Sequence, residues 1–227
     1  MKMDFKTVSN LWINDKKLYV RQSTSAVYAF VLNRYLLPNF EEMESLTEED
    51  VQQFILNAFK NGLSRNYIKG IVNVLRMVLR YGKKIGFDAD PQMELHLRKE
   101  VINNRVMAFS AKDQNVLMKY LRDNFVQKNI GIYMSLAFGL RIGEVCALKW
   151  QDLDFETGLI KIRSTVQRIS MDENGGKRTK IVIGPPKSLS STREIPMTRE
   201  FIRLLGPLLD ENEAGCYVLS GTTNPIE

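Results

Sequence analysis

The sequence of 227 residues holds a single histidine, His96, and only two cysteines, Cys146 and Cys216. One imidazole leaves almost no room for a histidine-based metal site or a Ser-His-Asp triad. The two cysteines give no metal-ligand spacing and fit the reduced thiols of a cytosolic protein. Long apolar runs are also missing. The longest, Gly131 to Leu140, is about half a membrane span, and Met1 to Lys6 lacks the apolar stretch of a signal peptide. No internal repeat or low-complexity tract is visible. These absences lead us to expect a cytoplasmic chain with no membrane partner, no cofactor and no metal. What is present is ordinary for a globular protein, 44% hydrophobic and 26% charged residues, in a length that suits one large or two small domains. A net charge of +6 favours an anionic partner, although such an excess also occurs in proteins that bind no nucleic acid.

The first part of the chain reads as helices. An amphipathic segment runs from Phe5 to about Lys17. Ser23, Thr24 and Ser25 offer N-caps for a second, striped by Val27, Phe30, Val31 and Leu37 and stopped at Pro38. Thr47 and Asp50 form a capping box for a helix that buries Val51, Phe54, Ile55, Ala58 and Phe59 and ends at Gly62. Ser64 caps another, striped by Ile68, Ile71, Val72, Leu75, Val78 and Leu79. The opposite face of that helix carries Arg65, Lys69, Arg76, Arg80, Lys83 and Lys84, with no acid between Ser64 and Phe87. Such a face is either simply solvated or a footprint for phosphates, whose counterions each basic residue displaces.

From Phe87 to Met107 the stripe disappears. Ser110 and Asp113 then cap a helix with Val116, Leu117, Tyr120 and Leu121 as its buried side. An apolar segment, Ile130 to Leu140, follows and Gly139 can end it, because glycine accepts positive φ without a Cβ clash. A short helix begins near Ile142, with Ile142, Val145 and Leu148 at spacings of three. Arg141 thus lies at a helix–turn–helix junction with Glu144 one turn along the same face. An arginine held between apolar segments needs a partner; Glu144 is one candidate and a bound anion is another. Past Trp150 the period changes to two. Leu159–Val166 and Lys180–Ile183 read as strands around a turn at Asp172–Gly176, Arg193–Pro196 as a short edge strand, and Thr198 as the cap of a helix through Phe201, Leu204, Leu205 and Leu208. Tyr217–Leu219 reads as extended.

The run Phe138-Gly139-Leu140-Arg141-Ile142-Gly143-Glu144, followed by Leu148-Lys149-Trp150-Gln151-Asp152-Leu153-Asp154, closely resembles the first arginine box of the tyrosine recombinases, or phage-type integrases. Lys187, Ser190, Ser191, Arg193 and Ile195-Pro196 resemble the family's β-hairpin lysine motif. More loosely, the helices before Phe87 resemble its core-binding domain. The resemblance implies a mainly α fold with a small antiparallel β-sheet: a helical SAM-like core-binding domain at 1–86, a linker at 87–108, and the first part of an α+β catalytic domain at 109–227. It assigns Arg141 the role of phosphate clamp, its planar fork donating to non-bridging oxygens whose charge grows in the transition state. Lys187 becomes the general acid toward a leaving 5′ oxygen, and Glu144 orients the site. The partner it implies is double-stranded DNA, held between the basic helix face and Arg141 with Lys187. A recombinase tetramer on DNA is implied for the complete protein.

The family's later parts, a His-x-x-Arg box and a tyrosine nucleophile that forms a 3′-phosphotyrosyl link, are not found. No histidine follows Thr198, and Tyr217 precedes the place where the second box should begin. The expectation is therefore a chain that stops inside the catalytic domain, binds DNA and does not cleave it alone. A different class stays open, a non-catalytic helical DNA-binding regulator in which Arg141 and Glu144 are structural.

Overall fold

A computed structural model describes residues 3–98, 107–171, 178–187, 189–209 and 213–226. The turn expected at 172–176 and the later part of the expected linker, 99–106, lie outside the described residues. The chain divides into two units, 1–104 with 169–180, and 105–168 with 181–227. Each has its own apolar core.

In the first unit, helix α1 (Phe5–Lys17) starts where the Asp4 carboxylate accepts the Thr7 N–H at 2.8 Å. Its apolar side, Phe5, Val8 and Trp12, is fully buried. Helix α2 (Gln22–Val31) begins earlier than expected: Arg21 is its N-cap, without a side-chain bond, and Ser23, Thr24 and Ser25 lie inside the helix. Nor does Pro38 stop it. The backbone widens to a π-helical turn at Leu32–Leu36, with the Leu37 N–H bonded to the Leu32 carbonyl, and continues as α3 (Leu37–Phe40) with Pro38 in its first turn. A proline has no N–H to give to the preceding turn, and the wider turn shifts the ladder so that none is needed. Val27, expected in the apolar stripe, is exposed.

Helix α4 (Glu48–Lys60) has the Thr47–Asp50 capping box, the two side chains closing on each other's backbone N–H at 3.2 and 2.9 Å. Helix α5 (Arg65–Lys84) follows its Ser64 cap and buries the expected stripe together with Val74 and Gly82. Gly82 lets α5 lie close against α1, since a Cβ there would stand 3.0 Å from Val8 Cγ1. Phe87 and Met93, from the stretch read as linker, are buried in this same core. A two-residue parallel pairing of β1 (Ser45–Leu46) with β2 (Asp88–Ala89) ties that segment to the start of α4.

In the second unit, α6 (Ala111–Asp123) carries the expected Ser110–Asp113 box. Only Leu121 of its expected buried side is fully covered; Val116 and Tyr120 face out. Helix α7 (Gln127–Phe138) ends at Gly139, with φ +65°. Helix α8 (Ile142–Ala147) then packs Val145 inward, whereas Ile142 is exposed. The expected single strand 159–166 is two: β4 (Leu159–Ile162) and β5 (Thr165–Ser170). The chain changes sheets between them. β4 is the centre of an antiparallel sheet, flanked by β3 (Leu153–Asp154) and the edge strand β7 (Arg193–Pro196), while β5 pairs with β6 (Thr179–Gly184). Tyr217 makes an isolated bridge to Lys149 and the Val218 N–H donates to the Leu148 carbonyl at 2.9 Å, but Val218 and Leu219 lie in a turn rather than a strand. Helix α9 (Arg199–Leu209) is capped by Thr198, whose Oγ1 accepts the Phe201 N–H at 3.1 Å. Phe201 is the core's centre, stacked on Tyr133 at 5.4 Å and met edge-on by Phe138 at 4.9 Å.

Candidate functional site

The turn after α7 sets the site. Gly139 reverses the chain with its positive φ, and Leu140 anchors the turn in the core. Arg141 follows in extended conformation as the N-cap of α8. Helix α8 is held close to β5 because Gly143 has no side chain: a Cβ would lie 2.6 Å from Thr165 Oγ1 and 2.7 Å from the Val166 carbonyl oxygen. One turn on, the Glu144 side chain points into the protein.

Here the burial is the reverse of the expected one. The Arg141 side chain is 72% exposed, and the buried charge is Glu144, only 3% exposed. Four hydrogen bonds compensate it. Oε1 accepts from Nη1 of Arg141 at 3.0 Å and Nη1 of Arg193 at 2.9 Å; Oε2 accepts from the Arg141 backbone N–H at 3.0 Å and Nη2 of Arg193 at 2.9 Å. A carboxylate has about four lone-pair positions, so none is left for a further proton donor. The fork of Arg193 and the bonds from Arg141 outweigh the cost of burial and hold the Glu144 carboxyl down to about 2, while Glu144 in turn raises Arg193. Glu144 is therefore an anchor and not a base: its lone pairs are filled and its affinity for a proton is low.

Arg193 extends the anchor. Its Nη1 also donates to the Ser191 carbonyl at 3.1 Å, which fixes the short 3-10 turn at Leu189–Ser191 against α8. Gly139, Arg141, Ser190, Ser191 and Arg193 line a surface recess of about 410 Å³. Two guanidinium groups and one buried carboxylate give it a net positive charge, and the exposed part of Arg141 has N–H groups to offer. Such a recess suits an oxyanion with several acceptor oxygens. Lys187 is exposed on the loop between β6 and β7, ahead of the 3-10 turn. Among the described residues no group of His, Cys, Asp and Glu side chains could hold a metal ion, and no helix is long and apolar enough to cross a membrane.

Of the groups at this site, Arg141, Glu144 and Lys187 stand out in the sequence and Arg193 does not. A signal was there. β7 alternates, and its half-buried positions are Arg193 and Ile195, opposite the buried Ile162 and Ile160 of β4. A charged residue on the inward face of a strand calls for a buried counter-charge.

The basic face of α5 belongs to the first unit. At about 100° per residue, its six basic positions fall within an arc of roughly 100°, beside the buried stripe. Lys69, Arg80, Lys83 and Lys84 are exposed, whereas Arg65 and Arg76 are partly buried. Nη2 of Arg76 donates to the Met93 carbonyl at 3.0 Å, so this arginine also secures the segment after α5.

Sequence comparison places both units in one family. The phage integrase family matches residues 107–221, and the phage integrase N-terminal SAM-like domain matches residues 4–58. The chain belongs to the phage integrase, or tyrosine recombinase, family. It is similar to a XerC-like tyrosine recombinase of Caldanaerobacter subterraneus, 26% identical over 171 residues that cover 68% of this chain and 41% of the relative. It also resembles the ICEBs1 integrase of Bacillus subtilis, 20% identical over 217 residues that cover 89% of this chain and 54% of the relative. The chain spans about half the length of the curated relatives it matches. Among solved structures, the Tn1549 transposon integrase in complex with transposon right end DNA superimposes with a TM-score of 0.73 at 18% identity, over 93% of this chain and 66% of that one. The lambda integrase tetramer bound to a Holliday junction gives 0.63 at 13% identity, over 100% of this chain and 60% of that one.

Proposed function

We propose that the chain binds double-stranded DNA as part of a site-specific recombinase and receives a backbone phosphate in the Arg141 recess. The observation that carries this reading is the division of labour at Glu144: the carboxylate is buried and saturated, while most of the Arg141 guanidinium stays exposed above the recess. The arrangement suits a clamp on non-bridging phosphate oxygens, where preorganised donors stabilise charge that develops during strand transfer. In this reading Lys187 delivers a proton to the leaving 5′ oxygen, Glu144 orients Arg141, and Lys69, Arg80, Lys83 and Lys84 contact the phosphate backbone from the helical unit. The stretch read as linker, 87–108, begins packed in the first unit through Phe87 and Met93 and leads on to the unit that carries the recess. In the complete recombinase the reaction passes through a 3′-phosphotyrosyl intermediate on a DNA-bound tetramer. That the named relatives are integrases seen on transposon-end DNA and, as a tetramer, on a Holliday junction supports it.

These 227 residues alone are expected to bind without cutting, because their one histidine, His96, precedes Arg141 and no His-x-x-Arg box follows it. Selection from a random duplex library at moderate salt tests the reading. Recovery of a short half-site, or an inverted pair of them, supports it, and no retention at low salt refutes it. A protein–DNA adduct that survives denaturant would refute the non-cleaving part alone.

A further inference from the structure

We infer that Arg193 is a positioning residue for phosphate binding, acting through Glu144 on Arg141 and through Ser191 on the loop that follows Lys187. The inference rests on the proposed reading of the recess as a phosphate site. Its ground is a competition visible at Glu144. The carboxylate is buried, so its oxygens must be filled by whichever donors are within reach. Arg193 fills one position on each oxygen with a two-pronged fork, at 2.9 Å on both sides. The Arg141 backbone N–H takes a third position, and one for a single Arg141 side-chain nitrogen remains. Because Arg193 is rigidly placed by strand β7, opposite Ile162, Arg141 is held at one corner while the rest of its fork stays in solvent.

If the Arg193 fork is lost, the vacated lone pairs face the neighbouring guanidinium of Arg141. Desolvation of Glu144 then draws that fork inward, and the same donors cannot at once serve a phosphate in the recess. The Ser191 carbonyl loses its donor in the same step, which loosens the 3-10 turn on the far wall. Lysine at 193 would keep the charge but has no planar fork, so it could not saturate both oxygens in this geometry.

The test is binding of the whole 227-residue chain to a short mixed-sequence DNA duplex, for the wild type, R141A, R193K, R193Q and the R141A/R193K double variant, with thermal denaturation to establish folding. R193K keeps the charge that compensates Glu144 and serves where R193Q does not fold. The expected result is that R193K, melting close to the wild type, binds about tenfold more weakly, the loss of about one charge-assisted bond. In the R141A background the same substitution should change affinity less than twofold, because its effect passes through Arg141. Three results would count against this. Wild-type affinity of R193K overturns the inference, and so does a full additive loss in the double variant, which would place Arg193 in direct contact with the phosphate. If R141A itself binds as the wild type does, the reading of the recess as a phosphate site is what fails.

Discussion

Replacing Glu144 by glutamine tests the buried anchor most directly. The carboxyl lies at about 2 in the folded chain, against an ordinary value of 4.5. At about 1.4 kcal/mol per pH unit, the contacts of the ionised form contribute about 3 kcal/mol to stability. The side chain is 3% exposed, so solvent screening takes little from that figure. Because the folded value is the lower one, this contribution is complete above about pH 4.5 and is lost as pH falls from there toward 2. Glutamine turns an amide N–H₂ toward the N–H groups of Arg193 or Arg141, and at neutral pH the variant should be less stable by about 3 kcal/mol. The difference should close as the wild type protonates. Asp154, whose carboxyl is likewise held below its usual range by Lys161, is common to both proteins and cancels. Urea unfolding can be followed by fluorescence of Trp150, which lies in the second core, in a W12F background that silences the tryptophan of the first. A stability gap that stays constant from neutral pH to about 2, or no gap at all, would refute the assignment of Glu144 as the charged anchor.

Further outcomes follow from the geometry. R141A should cost less than about 1 kcal/mol in thermal denaturation, since the side chain is exposed and makes one ion-paired bond; a loss of several kcal/mol would return Arg141 to a structural role. G143A should destabilise the second unit by about 1–3 kcal/mol despite the better helix propensity of alanine, because the new methyl meets a backbone carbonyl on β5. G131A, whose Cβ meets the flexible end of Leu219 at 3.0 Å, should cost clearly less in the same assay. In the first unit, K69A and K83A should each lower the salt dependence of DNA binding by about one phosphate contact. R76A should instead lower the melting temperature through the lost bond to Met93.

Local chemistry was legible in the chain. The caps at Thr47, Ser64, Ser110 and Thr198, the positive φ of Gly139 and the apolar stripe of α5 are where the sequence puts them, because each depends on residues within one or two helical turns. The arginine box was equally legible, since its order of small, charged and aromatic positions is distinctive. Failures came where packing overrides local preference. Pro38 reads as a stop, yet a π-helical turn lets the helix pass it. Val116 and Tyr120 read as core, but nothing in the described second unit covers them.

The sharpest divergence is at the site itself. From the sequence, Arg141 and Glu144 are a pair of opposite charges one turn apart, with no sign of which one is inside. Their burial depends on β7, which brings Arg193 to Glu144 across 49 residues of chain. A carboxylate can be buried when a planar fork saturates both its oxygens, and an arginine tied at one corner is then left free for solvent or a ligand. Residue types and local turns fix which groups can take part; the pairing of β4 with β7 settles which charge is buried in the fold and which stays exposed.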